Sequence, residues 1–227
     1  MDLSDRYARL GDRSDMALIK DMIYGNIEAL EEIMDRYLDL VSRTSFRILC
    51  DRVESEYVIE KVFIFLWNDV FEYDDRFTLR EWLLKKTYKL CRRRIARRRI
   101  LRFFGVVNDV FVNVAPKVDD YDDYVTKQAW EMHCRAVNHM TTYQSAVYAM
   151  CVIDNMPEEA VAEVTVTSRM HVEMALDRAV HKVKCELRSY GKEKDYSRYN
   201  AFLRKVADSL TDYGRLRREI LLQLGIK

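Results

Sequence analysis

The chain has 227 residues, 49% of them hydrophobic and 33% charged, with a formal net charge of +1. That composition describes a soluble globular chain able to bury a core. Two Pro and six Gly are too few for the many turns of a sandwich or barrel, so the expected class is all-α.

No apolar run approaches the ~20 residues needed to cross a bilayer. The opening MDLSDRYARLGDRSD lacks the apolar core of a signal peptide. A cytoplasmic chain without membrane insertion is therefore expected. Five cysteines (Cys50, Cys91, Cys134, Cys151 and Cys185) are scattered without metal-ligand spacing and read as small buried hydrophobes. His133 beside Cys134 is a weak metal signal, because helix neighbours point in different directions. Gly-rich phosphate loops, nucleophile elbows and His-Glu metal motifs are missing, and no carboxylate pairing points to acid–base chemistry. The chain reads as a non-enzyme without a cofactor.

In chain order, Met16, Ile19, Met22 and Ile23 have helical spacing, and Gly25-Asn26 ends one helix and caps the next. Ile27, Leu30, Ile33, Met34, Tyr37 and Val41 give the second helix its apolar face, to about Leu49. Asp51-Arg52 marks a break. A third helix is expected over about Glu54 to Phe71, then a loop to Phe77.

Thr78 and Glu81 form a capping box that fixes the start of the next helix. Its segment Trp82 to Arg102, WLLKKTYKLCRRRIARRRILR, holds ten Lys or Arg and no Asp or Glu. Trp82, Leu83, Leu90 and Ile95 allow one stripe to be buried. Seven Arg fall within Arg92–Arg102. Like charges one turn apart repel, so such a run is costly without an acidic partner. Nucleic acid or another acidic partner is expected.

Residues 105–125 read as an acidic linker carrying Pro116, Asp119, Asp120, Asp122 and Asp123. It separates a first helical domain (14–104) from a second (126–191). In the second, Trp130, Cys134, Val137 and Met140 are helically spaced, and a helix from about Tyr143 to Ile153 follows. Pro157 sits where a first helical residue belongs. Thr165-Val166-Thr167-Ser168 then breaks the chain before a longer helix from about Arg169 to Tyr190, with Ser168 as N-cap and Gly191 ending it. Two helices joined by a tight turn form a helix-turn-helix candidate, whose second helix would present Arg169, Met170, His171 and Glu173 to a major groove. Residues 192–227 are a C-terminal helical extension. Tyr199, Phe202, Leu203, Val206 and Leu210 give it one apolar face, and Ile220, Leu221, Leu222 and Leu224 another. Packing on the second domain is expected; a partner interface is the alternative.

The order of these parts resembles the extracytoplasmic-function (ECF) sigma factors of the sigma-70 family. LIKDMIYGNIEALEEIMDRYLDLV (18–41), FRILCD (46–51), KVFIFLW (61–67) and REWLLKKTYKL (80–90) resemble sigma region 2. MPEEAVAEVTVTSRMHVEMALDRAVHKVKCEL (156–187) resembles region 4 without gaps. The resemblance implies binding to core RNA polymerase and direction of that enzyme to promoter DNA, region 2 melting the −10 element and region 4 reading the −35 element. An anti-sigma factor is a further partner class that it admits.

By position, the −10 DNA path would be lined by Lys85, Lys86, Lys89, Arg92, Arg93 and Arg94, with Arg97, Arg98 and Arg99 adding phosphate contacts. Ser168, Arg169, His171, Glu173 and Arg178 would approach −35 DNA. Tyr57, Glu60 and Lys61 would lie near the polymerase. The departures from the family pattern fall on contacts. Lys89 and Arg93 stand where Asn and Asp are common, Val166 replaces a turn Gly, and Glu173 and Ala175 occupy usual basic positions. A sigma-like interaction module that binds polymerase or a regulatory partner without reading promoters is the alternative.

Overall fold

Helix starts follow the caps written in the sequence. In the computed structural model, which describes residues 13–103, 121–192, 195–209 and 212–226, Ser14 caps α1 (Asp15–Ile23) and Asn26 Oδ1 accepts from Glu28 N at 3.0 Å to open α2 (Ile27–Leu49). Asp51 caps α3 (Arg52–Asn68), and a short 3-10 turn, Val70–Glu72, follows it. The predicted 54–71 helix is thus split before its end. The Thr78/Glu81 box is formed: Thr78 N donates to Glu81 Oε2 at 2.9 Å, and Glu81 N to Thr78 Oγ1 at 3.3 Å. It opens α4 (Leu79–Phe103), a 25-residue helix.

Then come α5 (Tyr121–Asn138), α6 (Thr142–Tyr148), α7 (Glu158–Thr165), α8 (Arg169–Ser189), α9 (Tyr196–Ser209) and α10 (Tyr213–Gln223). The described residues contain no strand, so the class is all-α. α5 begins inside the stretch read as a linker; the rest of that linker, with Gly105 and Pro116, lies outside the described residues. Thr141 and Gln144 form a reciprocal capping box at the start of α6. α6 runs on into a π turn, Ala149–Ile153, where Asp154 N donates to Ala149 O at 3.0 Å. Pro157 is the cap of α7, with ψ 146°, rather than its first helical residue.

α2 is the axis of the molecule. Its first half turns Ala29, Leu30, Ile33 and Met34 toward α1, α3 and α4. From Val41 to Cys50 every residue is buried except Arg43, which is half-buried. This second half is enclosed on both sides, because α5, α6, α9 and the π turn pack against it as well. Two of its polar residues bond back to the helix itself: Thr44 Oγ1 donates to Leu40 O at 2.9 Å and Ser45 Oγ to Val41 O at 2.8 Å.

The apolar core therefore runs unbroken from the α1–α4 layer into the α5–α8 layer. Further contacts join α4 to α6 and α7. The C-terminal extension divides its packing. α9 lies on α2, α5 and the π turn, whereas α10 crosses to α3 and α2, away from the second half where it was expected.

Buried polar groups tie the halves together. Arg47 pairs with Asp154 at 2.6 Å and donates to Leu203 O at 3.2 Å. His133 Nε2 lies 3.0 Å from Arg47 O, and its Nδ1 lies 3.3 Å from Tyr199 Oη. A carbonyl can only accept, so Nε2 carries the proton and Nδ1 receives the Tyr199 hydroxyl. Both ring nitrogens are thereby used within the protein. Burial pushes the His133 pKa down to about 4.

Candidate nucleic-acid interface

The first half of α4 is anchored by its apolar side chains. Leu79, Trp82, Leu83, Leu84, Tyr88, Leu90 and Cys91 are buried, in a helix that packs on α2 and α3. Thr87, also buried, donates to Leu83 O at 2.7 Å. Lys85 sits 4.0 Å from the centre of the Phe77 ring, and Lys86 sits 4.7 Å from that of Trp82 and 3.9 Å from Glu72. Both ammonium groups are half-buried and oriented by aromatic faces.

Beyond Cys91 the helix separates into two kinds of arginine. Arg94 and Arg98 point back at the start of α3. Arg94 donates from Nη2 to Glu54 at 2.7 Å and lies 4.3 Å above the Tyr57 ring. The bond to Glu54 raises its pKa further. Arg98 donates to Asp51 at 3.2 Å. These two hold α4 to α3. Lys89, Arg92, Arg93, Arg97 and Arg99 are exposed, and they form no ion pair with any described residue. Lys89, Arg93 and Arg97 lie one turn apart on one side, so the outward face is a continuous cationic strip. Ile100 and Phe103 extend it with exposed apolar surface.

A cleft of about 360 Å³ lies beside this helix. Arg94, Ile95, Arg98 and Arg99 form one wall, with Leu49, Val137 and Met140 opposite. At the other end of α4, a groove lined by Arg76, Phe77 and Lys85 faces Glu163, Val166 and Thr167. The basic helix and the helix-turn-helix are therefore neighbours.

The helix-turn-helix consists of α7, a three-residue turn and α8. Thr167 holds the turn, its hydroxyl 2.9 Å from Tyr143 Oη and 3.0 Å from Thr165 Oγ1. Val166 has φ 56° and ψ 53°, the left-handed region. That conformation favours Gly, and a β-branched side chain is strained there. Ser168 caps α8 by accepting from His171 N, and its Oγ lies 3.1 Å from His171 Nδ1, so the exposed imidazole is docked on the cap. Val172, Ala175, Ala179, Val183 and Leu187 are the buried stripe of α8.

On the outward face of α8 the arginine expected to approach DNA is already paired. Arg169 is surrounded by Glu159 at 2.8 Å, Glu173 at 3.0 Å and Glu158 at 3.4 Å. Glu159 is the largest cause of its raised pKa. Glu173 is thus the partner of Arg169 on the same helix. Over residues 157–178 there are five acidic side chains (Glu158, Glu159, Glu163, Glu173, Asp177) and two basic ones (Arg169, Arg178). Arg178 is exposed and makes no ion pair with a described residue. Met170 and Met174 are exposed between these charges.

Tyr57, Glu60 and Lys61 share one side of α3. Tyr57 is flanked by the Arg94 guanidinium and by Lys61 Nζ, 5.7 Å from its ring centre. Glu60 accepts from Gln223 Nε2 at 2.7 Å. Sequence reasoning missed two features. One is the use of Asp51 and Glu54 as anchors for α4; their acidic character at the start of α3 was the available signal. The other is the placement of α10 over α3, for which only the opposite charges of Arg215 and Glu56 gave notice.

No protein-family model matches the chain, and no curated protein matches it. Among the described residues no group of His, Cys, Asp or Glu is arranged to hold a metal ion, and no helix is long and apolar enough to cross a membrane.

Proposed function

We propose that this chain is a transcription initiation factor of the ECF sigma type, which binds core RNA polymerase and directs it to promoter DNA. The observation that carries the reading is the outward strip of α4: Lys89, Arg92, Arg93, Arg97 and Arg99 are exposed and form no ion pair with a described residue, on a helix whose Arg94 and Arg98 are neutralised. A polyanion relieves the mutual repulsion of such a strip. The succession of quoted segments supports a promoter as that polyanion. Chemistry belongs to the polymerase; the factor positions it.

Five phosphate contacts predict a salt slope near −4.5, or roughly a 500-fold loss of affinity between 50 and 200 mM salt. Promoter elements named −10 and −35 lie about 25 base pairs apart, roughly 85 Å at 3.4 Å per pair. A folded chain of this length is roughly 45 Å across. One rigid body with α4 beside the helix-turn-helix does not span that separation. In this reading the described packing is a resting arrangement, and the α2–α5/α6 contact parts on promoter binding. Run-off transcription with purified core enzyme, from the DNA upstream of the chain's own coding sequence, tests the proposal. Absence of both initiation and core binding overturns it.

A second reading is favoured by the acidic face of α8. With Arg169 held by three carboxylates, the helix-turn-helix suits a protein surface better than phosphate. The chain would then be a sigma-like module that binds polymerase or a regulatory partner without reading −35 DNA. Sequence-selective duplex binding by the full chain, lost in R169A/H171A, overturns this alternative.

A further inference from the structure

The side of α3 that carries Glu56 and Glu60 is already occupied, by α10. Leu216 and Ile220 of α10 are fully buried, in a helix that packs on α3 and α2. Around them, Arg215 pairs with Glu56, Arg217 pairs with Asp35 and lies 3.5 Å from Glu31, and Gln223 bonds Glu60. Lys61 Nζ is 3.5 Å from Gln223 Oε1. The acceptor surface is thus two acidic positions on α2 and two on α3, around an apolar centre. Its occupant is an eleven-residue cationic amphipathic helix.

We infer that this α2–α3 face is a docking surface for a cationic amphipathic helix of a protein partner, and that α10 is its occupant in cis. The inference rests on the reading above, in which Tyr57, Glu60 and Lys61 face the polymerase. Two of these three residues, Glu60 and Lys61, contact Gln223, so polymerase and α10 compete for one surface. α10 is suited to release. Only two of its side chains are fully buried, and Leu222 is 66% exposed. The ion pairs around it are partly exposed, and such pairs hold weakly. Elements with few buried contacts open locally without global unfolding.

Native-state hydrogen exchange on the full chain tests the cis contact without any partner. Amides of 213–223 are expected to exchange at least 100-fold faster than those of the buried half of α2. R215E/R217E is expected to speed them a further tenfold while leaving α5–α8 unchanged. R215E combined with E56R, which restores one pair with its charges exchanged, is expected to return part of the protection and so to separate detachment from misfolding. Protection of α10 equal to that of α2 overturns the inference.

In a second arm, R215E/R217E is expected to bind purified core RNA polymerase at least fivefold more tightly than the parent chain. Equal or weaker binding overturns the competition. Failure of both chains to bind polymerase is the failure of the functional reading instead. In that event a synthetic peptide of residues 212–227 decides the docking surface. Its binding to R215E/R217E, with NMR shifts at Glu56 and Glu60, upholds the surface, and absence of binding overturns it.

Discussion

Arg47 and Asp154, 107 residues apart in the chain, form a 2.6 Å ion pair in the interior, with side chains 1% and 8% exposed. The pair sits where the second half of α2 meets the turn after the π segment, so it joins the two halves. Removing one partner leaves the other charge buried and uncompensated. Arg47→Met and Asp154→Ala are each expected to cost about 3–5 kcal/mol. The double change to Met and Leu is expected to recover much of that loss, as read by urea denaturation. Losses below 1 kcal/mol for both single variants would show that water reaches the pair.

His133 makes stability depend on pH. Its pKa falls from an ordinary 6.5 to about 4 because burial disfavours the imidazolium. Between those values the unfolded chain binds the extra proton and the folded chain does not, so stability rises with pH across this window. The contribution is complete above about pH 6.5 and is lost as pH falls through about 4, by at most roughly 3 kcal/mol. Denaturation midpoints between pH 4 and 7 should show this slope, and His133→Gln should flatten it. An unchanged slope in the variant assigns the effect to other groups.

Val166 holds a left-handed conformation with its side chain 72% exposed. A β-branched residue gains nothing there and is strained. Val166→Gly is expected to stabilise the protein by about 1 kcal/mol, the relief of strain exceeding the greater freedom of Gly in the unfolded chain. A thermal melt reads the sign. Destabilisation would mean that Val166 contributes packing in the turn.

The arginines of α4 should divide by experiment as they do by geometry. Arg94→Ala, which frees Glu54 and uncovers Tyr57, is expected to cost about 1–2 kcal/mol of stability. Arg93→Ala and Lys89→Ala should leave stability within about 0.5 kcal/mol. Each should instead reduce the slope of log affinity against log salt for DNA by about one. Equal salt slopes for all three variants would remove the distinction between anchoring and phosphate-facing cations.

The halves share a core, so the free chain should scatter as one body. A radius of gyration of roughly 17 Å is expected at low and high salt, against well above 25 Å for two separated lobes. A two-lobed profile at every ionic strength would count against the resting arrangement.

The sequence determined by itself what short-range chemistry controls. Asn26, Thr78 and Ser168 start helices because a cap bonds an amide two or three residues away, and both groups lie in one short stretch of chain. The apolar period of the first half of α2 and the concentration of charge on α4 were legible for the same reason. Tertiary structure decided the rest. Arg93 and Arg94 are neighbours of identical type, and only the position of Glu54, on another helix, makes one an anchor and leaves the other exposed. Thr44, Ser45 and Arg47 carry polar side chains and lie beyond the apolar face read from the sequence, yet they are buried because a second layer of helices covers that half of α2. The same is true of α10. Its amphipathic pattern required a surface to cover, but the choice of α3 depends on carboxylates some 160 residues earlier, at Glu56 and Glu60. Burial and charge pairing at that range depend on the path of the whole chain, which no local window contains.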